Sequence, residues 1–181
     1  MRNNHQLKNN IFYLPNWGVD YLFIGTFNPS GGEKVPYYYG RKKNRFWKLL
    51  SEVFKIELDP NDRLFFENLK SLKVGCIDLI DSISYPEEYE DRVLGKGYSD
   101  NVLFLSNVKK DYNTENILDI ISNHKLRKVF FTNSGGSLRK EQKLELEKIQ
   151  RICDVVYLCS PSPVNPNRDK CLNDYKQKII L

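Results

Sequence analysis

Three segments of this 181-residue sequence combine residue types that can do chemistry. Segment 24–32, IGTFNPSGG, is a glycine-rich turn closing an apolar run, and its backbone N–H groups suit an anion or a carbonyl. It lacks the spacing of a dinucleotide fingerprint or a phosphate loop, and a tight turn without a ligand is the competing reading. Segment 36–47, PYYYGRKKNRFW, sets Tyr37, Tyr38 and Tyr39 ahead of Arg41, Lys42 and Lys43, then Asn44 ahead of Phe46 and Trp47. Aromatic faces beside cations offer stacking for an extruded base and charge for its flanking phosphates. The plainer alternative makes Phe46 and Trp47 core residues and the tyrosines part of a surface loop. Segment 160–165, SPSPVN, places the hydroxyls of Ser160 and Ser162 on a proline-stiffened loop that can donate to phosphates or press into a groove at little entropic cost. Taken alone it is a turn, and Arg168 and Lys170 beyond it are either phosphate contacts or the solvated start of a helix.

Other chemistries find little support. His5 and His124 are the only histidines, too isolated in sequence to suggest a catalytic triad or a histidine metal site. Cys76, Cys153, Cys159 and Cys171 form no C-x-x-C pair, which predicts reduced, mostly buried thiols and no bound metal. A net charge of +5 is a mild excess that favours polyanions without requiring them. No apolar run is long enough to cross a bilayer and residues 1–10 are polar, so a cytoplasmic protein without a secretion signal is expected.

The elements that must position these segments alternate in type. Apolar runs at 19–25 (VDYLFIG), 73–80 (KVGCIDLI), 127–132 (RKVFFT) and 154–158 (DVVYL) read as buried strands. Helical spacing recurs at 44–55, 61–72, 114–123, 137–152 and, as a short last helix, 169–178. Residues 81–110 read mostly as connection, with a short helix at 101–105. Strands alternating with helices predict an α/β fold over 1–181 as a single domain: three layers, α/β/α, around a central four-stranded, mainly parallel sheet. In such sheets ligands bind where the loops leave the strands' carboxyl ends, here 26–32, 81–84, 133–136 and 160–165.

The order of these segments resembles the uracil-DNA glycosylase superfamily, most of all its hypoxanthine-DNA glycosylase and mismatch-specific uracil branches. Gly25, Thr26, Phe27, Asn28 and Pro29 are similar to the family's first turn, and Tyr38, Tyr39, Asn44, Phe46 and Trp47 to its YY…N-x-FW segment. Residues 75–79 resemble its glycine-led strand with an acidic residue, 130–135 its F-F-N-G segment, and 162–165 its terminal S-P-A-N loop. One departure concerns the mismatch-specific G-x-N-P turn, whose third place holds Phe27 here, the asparagine following as Asn28.

The resemblance implies a monofunctional glycosylase that releases a deaminated base, hypoxanthine or uracil, from DNA in base excision repair, acting as a monomer without cofactor, metal or membrane. Its water would be oriented by Asn44 in the first place and Asn28 in the second. Gly25, Thr26, Phe27, Tyr38 and Tyr39 would hold the base, and Arg41, Lys42, Lys43, Ser160, Ser162, Pro163, Asn165 and Arg168 the DNA strand. Two other readings stay open: a catalytically silent nucleic-acid-binding module with the same fold, and a nucleoside- or nucleotide-processing protein.

Overall fold

The computed structural model describes residues 1–31, 34–94, 100–133, 140–163, 165 and 167–180. Four parallel strands form its central sheet: β2 (Tyr21–Gly25), β3 (Val74–Asp78), β6 (Lys128–Phe131) and β7 (Val155–Tyr157), in the order β3-β2-β6-β7. Tyr21 pairs with Val74 on one side and Lys128 on the other, and Val129 pairs with Val155. Because successive side chains point to opposite faces, β2 feeds two cores at once. Phe23 turns to one side, onto Phe130 and Phe46, while Leu22 and Ile24 turn to the other with Ile77 and Phe131. That two-sided burial explains why these strands read as unbroken apolar runs.

Helices cover both faces. On the Phe23 side lie α1 (Phe46–Phe54), α2 (Phe65–Ser71) and α6 (Arg168–Ile180), contributing Leu50, Leu69 and Tyr175. On the opposite side α4 (Thr114–Asn123) and α5 (Lys140–Gln150) contribute Ile117, Ile120, Leu146 and Ile149. The three-layer arrangement and the parallel sheet agree with the sequence reading. Residues 134–139, which include the start of the helix expected at 137–152, lie outside the described residues.

Three corrections follow from the rest of the chain. The run 73–80 is not one strand: β3 stops at Asp78, and after Leu79 the chain enters β4 (Ile80–Ser84) in a second sheet. Leu79 and Ile80 donate their N–H groups to the carbonyls of Gly25 and Thr26, so this crossing point is tied to the first turn. The stretch 81–110 is more than connection, since β4, α3 (Glu90–Leu94), a 3-10 turn over Asp100–Phe104 and β5 (Lys109–Tyr112) occupy much of it. β5 and the polar N-terminal β1 (Arg2–Asn4) flank β4 antiparallel in the order β1-β4-β5, over a small core of Phe27, Ile83, Val93 and Leu103. Finally, the cysteines are not all thiols: Cys159 and Cys171 are disulfide-bonded, whereas Cys76 and Cys153 are free.

The N-terminal segment is held where it crosses β4. His5 donates its backbone N–H to the Asp81 carbonyl, and the Asp81 carboxylate takes hydrogen bonds from Lys8 Nζ and the Tyr13 hydroxyl. Burial raises the Asp81 carboxyl, but those two hydrogen bonds outweigh it and hold the group below its ordinary 3.8. A carboxyl lowered in the folded state stabilises the fold above its unfolded value and ceases to do so as pH falls through the folded one. As pH falls and the Asp81 carboxyl takes up its proton, the His5 amide should therefore lose hydrogen-exchange protection before the amides of β2 do, and Asp81→Asn should show the loss already at neutral pH. Equal protection of both sets throughout the acid range would contradict this.

Candidate functional site

Gly25 ends β2 at the sheet's carboxyl edge, and the space in front of it admits no side chain. A Cβ there would lie 2.1 Å from Asp78 Oδ1 and 3.1 Å from the Tyr39 hydroxyl. Three segments distant in sequence thus meet at one α-carbon: the first turn, the end of β3 and the tyrosine run.

Asp78 is 3% exposed, and a carboxylate so buried is costly unless it accepts hydrogen bonds. Its Oδ2 accepts two, from His5 Nε2 at 2.8 Å and Asn28 Nδ2 at 3.0 Å. His5 is 1% exposed, and its Nδ1 accepts the Leu7 N–H at 3.1 Å. A ring nitrogen that accepts carries no proton, so the hydrogen on Nε2 points at Asp78. His5 is remote from any catalytic partner in sequence yet touches a carboxylate in the fold. Neither it nor Asp78 was among the expected site residues, and the acidic residue of the glycine-led strand was the one available signal.

Asn28 is half-buried, its amide nitrogen committed to Asp78. Among the described residues its Oδ1 receives no hydrogen bond. Asn44 is placed differently: its Oδ1 accepts the Phe46 N–H at 2.9 Å, in the first turn of α1. One lone pair of the Asn44 amide oxygen is thus taken by the start of α1, whereas the Asn28 amide is turned with its nitrogen on Asp78.

Tyr39 borders this cluster with its hydroxyl, in front of Gly25. Its ring stacks on Phe46 with centroids 3.7 Å apart, and its hydroxyl lies 3.0 Å from Thr132 Oγ1. Thr132 has one hydroxyl hydrogen and gives it to the Ile24 carbonyl, so the Tyr39 O–H is the donor of the pair. Burial, reinforced by Cys76 and Asp78, pushes the phenol well above its ordinary range, and it stays protonated at neutral pH. Its φ of 57° is left-handed, a conformation that costs a non-glycine residue about 1–3 kcal/mol and persists only when its surroundings impose it. Tyr38, by contrast, is a core residue: it is 2% exposed and its hydroxyl donates to the Tyr13 carbonyl. Phe27 likewise turns its side chain into the small core beneath β4, leaving its backbone in the turn, and Thr26 is half-buried there.

The third segment adjoins the second through Arg45. Its backbone N–H donates to the Pro161 carbonyl and its guanidinium to the carbonyls of Ser162 and Asn165. The loop is closed from inside by the Asn165 amide, which reaches Cys159 Sγ and the Ser160 carbonyl, and by the disulfide to α6. Asn165 therefore folds this loop rather than facing outward. Ser160 and Ser162 are half-buried and Pro163 is exposed. Lys42 and Lys43 are exposed and Arg41 half-buried just ahead of α1, whereas Arg168 is paired with Glu52 at 2.7 Å. Arg45 was not expected from sequence, because its work is done through loop carbonyls 117 and 120 residues away.

Among the described residues no three His, Cys, Asp or Glu side chains come together to hold a metal, and no helix is long and apolar enough to cross a membrane. The sheet, its two helical layers and the loops at its carboxyl edge define a uracil-DNA glycosylase-like α/β/α fold. No protein-family model matches the chain, and no curated protein matches it. Among solved structures it is similar to the solution NMR structure of a "putative Uracil DNA glycosylase" from Methanosarcina acetivorans, with a TM-score of 0.60 over 90% of each chain and 18% sequence identity. At that identity the likeness is one of fold.

Gly25→Ala should displace the Asp78 carboxylate and so destabilise the protein by about 1–3 kcal/mol, measured by denaturant unfolding. A change smaller than about 0.5 kcal/mol would mean that the close approach is not a real constraint.

Proposed function

We propose that this protein is a monofunctional DNA glycosylase that hydrolyses the N-glycosidic bond of a deaminated base, uracil or hypoxanthine, in base excision repair. What supports the reading is one observation: the Asn28 amide is held by the buried Asp78 carboxylate beside Gly25, on the same edge as an aromatic ring and a Ser-Pro loop.

Breaking the bond leaves negative charge on the base and positive charge on the sugar. Phe46 supports one face of Tyr39, and the extruded base stacks on the other. The N–H groups of the turn from Gly25 to Asn28 receive a base carbonyl as negative charge grows. Asn28 Oδ1 accepts a hydrogen bond from water and aims the water's lone pair at the sugar's anomeric carbon. That carbon gains the water's oxygen, the base takes up a proton, and an abasic site remains. Ser160, Ser162 and Pro163, with Lys42 and Lys43, hold the strand from which the base was drawn.

Incubation with oligonucleotides carrying uracil or hypoxanthine, followed by alkaline cleavage, should reveal abasic sites. Asn28→Ala should slow release by about 10²–10³-fold. Asn44→Ala should act mainly by leaving the Phe46 N–H at the start of α1 without its partner, lowering stability by about 1 kcal/mol and sparing most turnover. Absence of product on every base, in single- and double-stranded DNA, would refute the glycosylase; an unimpaired Asn28→Ala would refute the assignment of Asn28.

The Tyr39–Thr132 hydrogen bond in front of Gly25 favours a second reading, since it fills the place a base would enter. In that reading the fold is a silent nucleic-acid-binding module. Salt-dependent DNA binding without base release would establish it, and in either reading Lys43→Ala should reduce the salt slope by about one.

A further inference from the structure

His5 is a buried polar group that the proposed reaction leaves unused and that touches the Asp78 carboxylate. It arrives from the N-terminal segment, 73 residues from Asp78 in sequence, and is walled in by Tyr13, Phe27 and Tyr38, with ring centroids 5.4 to 5.8 Å away. A histidine this deeply buried on an apolar wall normally serves packing alone. Here its orientation is fixed at both ends, by the Leu7 N–H on Nδ1 and by Asp78 on Nε2. The carboxylate oxygen that takes its proton is the same Oδ2 that takes the Asn28 amide.

The backbone repeats the connection. Gln6 donates its N–H to the Asn28 carbonyl at 2.8 Å, His5 forms an isolated bridge with Pro29, and Ser30 donates its N–H to Asn3 Oδ1 at 2.8 Å. Residues 3–6 therefore run alongside the first turn and join it at Asn28 and at Pro29 and Ser30 just beyond it.

We propose that His5 is a positioning residue: as the neutral tautomer with its hydrogen on Nε2, it fixes the Asp78 carboxylate, which in turn fixes the Asn28 amide with Oδ1 free for water. This rests on the glycosylase reading for the role of Asn28, although the arrangement of the three side chains is independent of it. With two donors on Oδ2, the carboxylate has one orientation. Without His5 it keeps a single donor and can rotate about its last bond, carrying the amide with it. Groups that orient a working residue from behind typically change activity by roughly 10- to 100-fold when removed.

The test uses the full chain and four variants: His5→Leu, which keeps an apolar side chain in the cavity but has no donor; His5→Gln, which keeps a neutral N–H near Nε2; Asn28→Ala; and the double variant His5→Leu/Asn28→Ala. On the base that the wild type releases, His5→Leu should lower kcat roughly 10- to 100-fold with KM within about twofold, and His5→Gln should recover most of the loss. The double variant should be no slower than Asn28→Ala, because two residues acting as one unit are not additive. Multiplicative losses, or no rescue by His5→Gln, would overturn the proposal and leave His5 as a packing residue. A second readout needs no catalysis: NMR exchange of the Asn28 side-chain amide hydrogens should be slow in wild type and His5→Gln and fast in His5→Leu. Equal exchange in all three would overturn the proposal as well. Should the wild type release no base from any DNA, the glycosylase reading fails, and the amide exchange alone decides whether His5 positions Asn28.

Discussion

A carboxylate with 3% exposure organises the functional edge of this protein. Burying such a charge costs several kcal/mol unless polar partners replace the water it has lost. Asp78 finds those partners in two segments that are local neighbours of neither it nor each other, the N-terminal His5 and the first-turn Asn28. It also lies so close to Gly25 that only a hydrogen atom fits between. β1 must therefore pair with β4, the first turn must fold back over the end of β3, and residue 25 must be glycine.

The neighbouring contacts extend this constraint along the carboxyl edge. Tyr39 donates to Thr132, which caps the Ile24 carbonyl at the end of β2, and its ring rests on Phe46 at the start of α1. Asn44 and Arg45, two residues and one residue before Phe46, tie that helix start inward and to the Ser-Pro loop. Across this row aromatic faces, an amide, hydroxyls and cations adjoin along one edge of the sheet. The left-handed backbone at Tyr39 is the one strained element in the row, held by stacking on one side and a hydrogen bond on the other.

The sequence carried much of this and missed the rest for identifiable reasons. β2, β3, β6 and β7 are buried on both faces, so apolar residues follow one another without interruption and are visible as runs. α1 and α4 were visible through the spacing of Phe46, Leu50 and Val53 and of Ile117 and Ile120. β1, β4 and β5 are three to five residues long and rich in polar side chains, so their pairing rests on backbone hydrogen bonds and leaves almost no period. The partnership of His5 with Asp78 depends on that pairing, and once β1 went unseen the histidine looked isolated. The resemblance put Asn44 ahead of Asn28, and the sequence carried no sign of what each amide touches, because that is a matter of hydrogen-bond geometry. The bond between Cys159 and Cys171 spans a loop of 12 residues in no recognised spacing, and it was invisible for the same reason.

Asp78→Leu tests the central role of this carboxylate most directly, since it keeps the branching of the side chain and removes both acceptors. Residue-resolved hydrogen exchange should show that the amides of His5, Gln6 and Ser30 lose protection together, while those of Val129 and Phe130 in β6 keep theirs. Unchanged protection at His5, Gln6 and Ser30 would mean that backbone pairing alone builds this edge and that Asp78 is not its anchor.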